Sequence, residues 1–127
     1  MGKTDLLTHV CIIDDEVALS DLLRVVCESI GLTARIFNSA DAYLATTGGD
    51  CSGCGLLLVD VDLPGTSGLE LIARLKSEGF QRPILVISGE TEESVAEQAR
   101  ELGAADFIEK PFQVATVRAR IRELVES

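Results

Sequence analysis

The chain has 127 residues, of which 46% are hydrophobic and 25% are charged, so it is long enough to bury the core of one domain. Its formal net charge of −10 repels nucleic acid and anionic lipid, which argues against direct binding of either, and a phosphate-handling site here would need a cation. No stretch is long and apolar enough for a signal peptide or a membrane span, which predicts a cytoplasmic protein. We predict a single domain over residues 1–127, with a folded core of about residues 9–125 and no output domain.

Short apolar runs predict the strands. The clearest runs are residues 10–13, 56–59 and 84–87, and weaker candidates are residues 33–37 and 106–108. Segments with helical spacing lie between these runs, so the predicted order of elements is βαβαβαβαβα. Strict alternation of this kind is typical of an α/β fold with a parallel sheet and helices on both faces.

Helical spacing of apolar residues predicts which face of each helix points inward. In the first helix the predicted stripe is Leu22, Val25, Val26 and Ile30, and a short second helix is predicted over residues 40–45. The three later stripes are Leu69, Ile72 and Leu75; Val95, Ala99 and Leu102; and Val114, Val117, Ile121 and Leu124. The predicted N-caps are Ser39, Ser67 and Thr91, and the predicted C-terminal stops are Gly31, Gly79 and Gly103.

Polar residues follow four of the predicted strands. Asp14 and Asp15 come after the first, Asp60 ends the third, Ser88 follows the fourth and Lys110 the fifth. In an open parallel sheet, ligands bind at the carboxyl ends of the strands, so these residues are expected to converge. Clustered carboxylates need a cation, and oxygen ligands suit Mg²⁺. Asp60 is then a natural nucleophile for a phosphoryl group, which the lysine and the hydroxyl would contact.

Each of these features also has an ordinary explanation when it is taken alone. A pair of aspartates after a strand often caps a helix, and the segments around Pro64, Gly89 and Pro111 could be simple turns. The functional interpretation depends on their joint placement at strand ends.

Several motifs in the chain resemble those of response-regulator receiver domains in two-component systems. They are residues 13–16 (IDDE), 59–65 (VDVDLPG) with 67–70 (SGLE), 87–89 (ISG) and 103–112 (GAADFIEKPF). The resemblance runs from about residue 9 to the last helix and is strongest to receivers of helix-turn-helix transcriptional regulators. It implies a flavodoxin-like receiver fold with five parallel strands in the order 2-1-3-4-5.

The resemblance also implies a role for each acidic residue of the site. Asp60 corresponds to the phosphoacceptor, which takes its phosphoryl group from a sensor histidine kinase. Asp15 corresponds to the direct Mg²⁺ ligand and Asp14 to the ligand that acts largely through water. The backbone carbonyl of Asp62 corresponds to the last protein ligand, beside the carboxylate of Asp60.

The remaining family positions imply a phosphorylation-dependent switch. Ser88 corresponds to the switch hydroxyl, Lys110 to the phosphate-pairing lysine and Phe107 to the switch aromatic residue, while the Lys110–Pro111 bond is expected to be cis. Phosphorylation would change the surface of the fourth helix, fifth strand and fifth helix. The protein would then act on a partner or an attached output domain, catalysing only its own phosphorylation and slow dephosphorylation.

That surface carries opposite charges on its two helices, which are Glu92, Glu93 and Glu97 on one and Arg118, Arg120 and Arg122 on the other. These residues are either solvated helix faces or a dimer contact that forms on phosphorylation.

Two other functions compete with the receiver interpretation. The Asp60-Val61-Asp62 sequence resembles the D-x-D of haloacid-dehalogenase-type phosphatases, but that motif follows a first strand and here it ends the third. A flavodoxin-like cofactor binder would need a phosphate-binding loop after the first strand, where Asp14 and Asp15 would repel the ligand.

Four cysteines remain, of which Cys51 and Cys54 form a C-x-x-C in a glycine-rich loop before a predicted strand. A redox pair, half of a zinc site and an incidental pair are all open, although His9 is the only histidine and a closed zinc site would need more ligands.

Overall fold

The apolar runs form a five-stranded parallel sheet in the computed structural model. The structure describes residues 9–47, 54–61, 63, 65–89 and 93–126. The strands are β1 His9–Ile13, β2 Thr33–Phe37, β3 Cys54–Asp60, β4 Ile84–Ser88 and β5 Asp106–Glu109. The helices are α1 Val17–Ser29, α2 Ala40–Thr47, α3 Gly68–Ser77, α4 Glu93–Glu101 and α5 Val114–Glu126. The predicted alternation is confirmed, including the two weaker strands.

The strands lie in the order β2-β1-β3-β4-β5, and every neighbouring pair is parallel. The order implied by the resemblance is therefore confirmed. Ile13 lies opposite Val59 in the register of β1 and β3, so Asp14 and Asp60 follow at the same edge of the sheet. This edge, formed by the carboxyl ends of the strands, is where the candidate site lies.

The sheet has an apolar layer on each face, as an α/β fold requires. Alternate residues of the central strands point to opposite layers because side chains in a strand alternate with a period of two. One layer packs the sheet against α2, α3 and α4 through Tyr43, Leu71, Ile72, Leu75 and Ala99. The other packs it against α1 and α5 through Leu23, Val26, Cys27, Val117 and Ile121.

The predicted inward face of α1 is wrong in part. Leu22 and Val25 are 38% and 54% exposed, whereas Leu23, Val26 and Cys27 are buried. Apolar residues occupy all but one of positions 22–27, so helical spacing alone allows more than one inward face. Packing against the sheet selects the face that contains Leu23 and Cys27.

Two of the predicted N-caps are confirmed. Ser67 and Glu70 form a capping box at the start of α3, and the Ser39 hydroxyl accepts a hydrogen bond from the N–H of Ala42 at 3.0 Å. Thr91 lies outside the described residues. The three predicted glycine stops are confirmed, with φ angles of 85°, 91° and 107° at Gly31, Gly79 and Gly103.

The described cysteines do not form a redox pair. Cys11 and Cys27 are buried in the layers on opposite faces of the sheet, and burial raises the pKa of Cys27 to about 12. Cys54 begins β3, whereas its side chain and the whole of Cys51 lie outside the described residues, so the roles suggested for the C-x-x-C stay predictions.

Candidate functional site

Three carboxylates meet at the carboxyl edge of the sheet. Asp14, Asp15 and Asp60 each offer an oxygen atom, and these atoms lie within 4.8 Å of one another. Asp14 and Asp60 are buried, whereas Asp15 is exposed. The Asp14 N–H donates to the carbonyl of Phe37 at 3.0 Å, and the N–H of Glu16 donates to Asp14 Oδ1 at 2.9 Å. Backbone contacts therefore fix the position of the Asp14 carboxyl group.

Lys110, which follows the outer strand β5, brings a positive charge to this cluster. Its Nζ atom donates to Asp60 Oδ2 at 2.9 Å, and its backbone N–H donates to the Ser88 carbonyl at 2.8 Å. The Lys110–Pro111 peptide bond is cis, as predicted. Burial alone would lower the pKa of Lys110, but its hydrogen bond to Asp60 and the nearby carboxylates outweigh burial and raise that pKa.

The Asp14 carboxyl group is held in an unfavourable environment for its charged form. Burial, opposed by the Glu16 N–H and reinforced by the charge of Asp60, raises its pKa from 3.8 to about 6. Within the described part of the chain, no group hydrogen-bonds to its buried Oδ2 atom. A buried acceptor without a partner costs free energy, and a cation bound there would offset that cost. The three converging carboxylates, which include the buried Asp14 Oδ2 atom, therefore fit a hard divalent cation such as Mg²⁺.

The two predicted switch residues lie on β4 and β5. Ser88 ends β4 and is fully buried. Phe107 lies on β5, opposite Val86 of β4. Its side chain is half-buried and packs against the apolar layer that faces α2, α3 and α4. Phe107 also lines a cavity of about 300 Å³ together with Phe112 and Arg120, so it has an open volume on one side.

The structure thus brings together Asp14, Asp15, Asp60 and Lys110, and it places Ser88 on the same edge. Asp62, the predicted carbonyl ligand, lies outside the described residues.

Sequence reasoning missed the role of Gly68, the first residue of α3. A Cβ atom built on Gly68 would lie 2.6 Å from the backbone oxygen of Asp60 and 2.8 Å from the Cα of Val61. Its N–H donates to the Val61 carbonyl at 3.2 Å. The start of α3 therefore packs directly against the main chain of Asp60, which only a residue without a side chain allows. A glycine placed directly after the N-cap Ser67 was the available signal.

The model of the family described as "Response regulator receiver domain" matches residues 10–122. The chain belongs to this family. The receiver domain is 36% identical over 117 residues to the transcriptional regulatory protein FixJ of Bradyrhizobium diazoefficiens, covering 92% of this chain and 56% of FixJ. It is 37% identical over 119 residues to the response regulator protein TodT of Pseudomonas putida F1, covering 94% of this chain and 52% of TodT.

Solved structures agree with this family assignment. The receiver domain of NtrX from Brucella abortus superposes with a TM-score of 0.83 at 30% identity, covering 93% of this chain and 98% of that one. The chain spans about half the length of the two regulators named above. Within the described residues, no helix combines the length and the hydrophobicity that a membrane span requires.

Proposed function

We propose that this receiver domain is a phosphorylation-dependent switch, in which Asp60 accepts a phosphoryl group from a sensor histidine kinase with Mg²⁺. The observation that carries this proposal is the cluster of Asp14, Asp15 and Asp60 with Lys110 paired to Asp60 at 2.9 Å. The same site is also proposed to lose the phosphoryl group slowly to water, and no other turnover is expected of it.

Asp14, Asp15 and Asp60 would hold the metal, with the backbone carbonyl of Asp62 as the fourth protein ligand. Mg²⁺ would neutralise charge on the phosphoryl oxygens during in-line transfer. An oxygen of Asp60 attacks phosphorus while the bond from phosphorus to the kinase histidine breaks, and the bonding electrons return to the imidazole nitrogen. The product is an acyl phosphate on Asp60.

Lys110 and Ser88 would recognise the new phosphoryl group. Lys110 already lies against Asp60 and would pair with a phosphoryl oxygen as a point charge. The Ser88 hydroxyl would move toward a second oxygen, and Phe107 would turn into the space that Ser88 vacates. Burial of the phenyl ring would drive that turn, because phenylalanine has no hydroxyl that could hydrogen-bond.

This turn would change the surface of α4, β5 and α5, which is the proposed contact for a dimer or an output domain. Two of the arginines predicted for a dimer contact already have partners within the chain: Arg120 pairs with Asp106 at 3.2 Å, and Arg118 donates to Ser29 at 3.2 Å. Among the members whose side chains the structure describes, Glu97 and Arg122 are exposed, and they would be the ones to reach a second copy.

The output is proposed to be transcriptional, through an attached or partner DNA-binding domain, because FixJ is named a transcriptional regulatory protein. With a net charge of −10, these 127 residues are not expected to bind DNA themselves. A cytoplasmic location follows from the proposed kinase and output.

The test is intact-protein mass spectrometry after incubation with acetyl phosphate or with phosphoramidate, whose P–N bond imitates that of phosphohistidine. Wild type is expected to gain one phosphoryl group with Mg²⁺ and none with EDTA, and Asp60→Asn is expected to gain none. Circular dichroism would check that the variant is folded. An adduct of equal yield in the variant, or none in wild type with either donor, would refute the proposal.

A further inference from the structure

The loop between β3 and α3 contacts a residue that belongs to another element. The hydroxyl of Thr66, at the end of this loop, donates to Oδ1 of Asp41 at 2.9 Å. Asp41 lies in the first turn of α2, 25 positions earlier in the chain. The neighbouring Gly65 has a φ of 72°, and a Cβ atom there would lie 3.1 Å from Oδ2 of Asp41. Both oxygens of the Asp41 carboxylate are therefore placed against the loop.

Asp41 has a rigid support. The start of α2 is fixed by the Ser39 cap and by Ala40 and Tyr43, which are both fully buried. Tyr43 packs edge-to-face on Phe37 with ring centroids 5.3 Å apart, and the Phe37 carbonyl accepts the N–H of Asp14. The backbone that carries Asp41 is thus tied to the end of β1, where two of the site carboxylates begin.

The loop in turn determines how the main chain leaves Asp60. The Val61 carbonyl accepts the N–H groups of both Leu63 at 3.0 Å and Gly68 at 3.2 Å. An early residue of the loop and the first residue of α3 therefore share one acceptor. The side chain of Leu63 is buried, which holds the early part of the loop against the core. Thr66 lies in the later part, where its hydrogen bond to Asp41 links the loop to α2.

We infer that Asp41 is a positioning residue for the phosphoacceptor site, acting through the Thr66 hydroxyl to hold the β3–α3 loop in the conformation that Asp60 needs. The inference rests on the proposed function for the chemistry of the site. The restraint of the loop by α2 does not depend on phosphorylation and can be tested without it. A hydrogen bond between exposed groups contributes modestly to stability, so its loss is expected to affect the site more than the fold.

The experiment compares wild type with Thr66→Val, Thr66→Ser, Asp41→Ala and Asp41→Asn. Thr47→Val is the matched control, because the Thr47 hydroxyl donates to the Tyr43 carbonyl inside α2, at the opposite end of that helix from Asp41. Three quantities are measured: amide hydrogen exchange at Leu63 and Gly68 without metal, the Mg²⁺ dissociation constant by calorimetry, and the rate of phosphorylation by acetyl phosphate. Thermal unfolding separates these effects from a loss of stability.

Thr66→Val and Asp41→Ala are expected to speed exchange at the two amides and to weaken Mg²⁺ binding, each by about twofold to tenfold, with slower phosphorylation. Thr66→Ser should restore wild-type behaviour, and Asp41→Asn should retain most of it because its amide oxygen still accepts a hydrogen bond. Thr47→Val should match wild type in exchange, Mg²⁺ binding and phosphorylation.

Unchanged exchange in Thr66→Val would overturn the inference. A loss of Mg²⁺ affinity in both Asp41 variants without any in Thr66→Val would also overturn it, because the aspartate would then act through its charge alone. If wild type takes no phosphoryl group, the proposed function fails, while the exchange data still decide whether α2 restrains the loop.

Discussion

Replacing Gly68 by alanine tests whether close packing of α3 against Asp60 positions this residue as the proposed phosphoacceptor. The added Cβ would lie 2.6 Å from the Asp60 carbonyl oxygen, 0.8 Å short of the 3.4 Å at which ordinary contact begins. Two of the three atoms it meets belong to the main chain, so no side-chain rotation removes the clash. The backbone of Asp60 or the start of α3 must move by several tenths of an ångström.

The expected cost has two parts. Overpacking of this kind costs about 1–3 kcal/mol of unfolding free energy, part of which the better helix propensity of alanine offsets. Phosphorylation should suffer more, because displacement of a reacting group by about 1 Å can reduce a rate by about 100-fold. We expect Gly68→Ala to lose about 1–2 kcal/mol in urea denaturation and at least about tenfold in the rate of phosphorylation by acetyl phosphate.

Gly79→Ala is the matched control. Gly79 lies beyond the other end of α3 with a φ of 91°, and a Cβ atom there would have nothing within 4 Å. Alanine in that conformation costs about 1–2 kcal/mol without any clash. Gly79→Ala should therefore be destabilised to a similar degree and still phosphorylate at the wild-type rate. Equal rates for Gly68→Ala and wild type, or an equal loss of rate in Gly79→Ala, would refute the reasoning.

Three further predictions concern the charged residues of the site. Because folding raises the pKa of Asp14 from 3.8 to about 6, the native state binds a proton more tightly, so this group lowers stability as pH rises from about 4 to about 6. Asp14→Asn should therefore be more stable than wild type at pH 8 by up to about 3 kcal/mol in metal-free urea denaturation, and the gain should shrink toward pH 4. Asp15→Ala should weaken Mg²⁺ binding in calorimetry with little change in thermal stability, because Asp15 is exposed; unchanged affinity would contradict its role as a ligand. Lys110→Ala should abolish any phosphorylation-dependent change in oligomeric state, measured by analytical ultracentrifugation, while the protein stays folded; a variant that responds like wild type would exclude the lysine from the switch.

The edge of the sheet could be predicted from the sequence because apolar runs fix where each strand ends. Once the strands are taken as parallel, Asp14, Asp60, Ser88 and Lys110 must share one edge, and the structure places them there. The strand order itself came from the resemblance, since helical and strand periodicities carry no information on which strands are neighbours.

Contacts between distant elements could not be predicted in this way. The hydrogen bond from Thr66 to Asp41 joins the β3–α3 loop to α2, with no local sequence signal at either residue. The inward face of α1 was ambiguous for a related reason. Leu22 and Leu23 have the same hydropathy, so the pattern cannot tell them apart, and only packing on the sheet distinguishes them. Sequence patterns report what each element would bury, and they do not report which neighbour it meets.

The order in which the chain supplies its charges bears on how the protein is made. All three carboxylates of the cluster lie within the first 60 residues, whereas Lys110 arrives with the last strand. During synthesis from the N-terminus, β1 and β3 can pair before β5 leaves the ribosome, and their aspartates then repel one another without Lys110 to offset their charge. Pairing of β5 with β4 both completes the sheet and delivers the lysine. Free Mg²⁺ around the ribosome would screen these carboxylates until Lys110 arrives, so the ion proposed for the chemistry of the mature site would also favour its assembly.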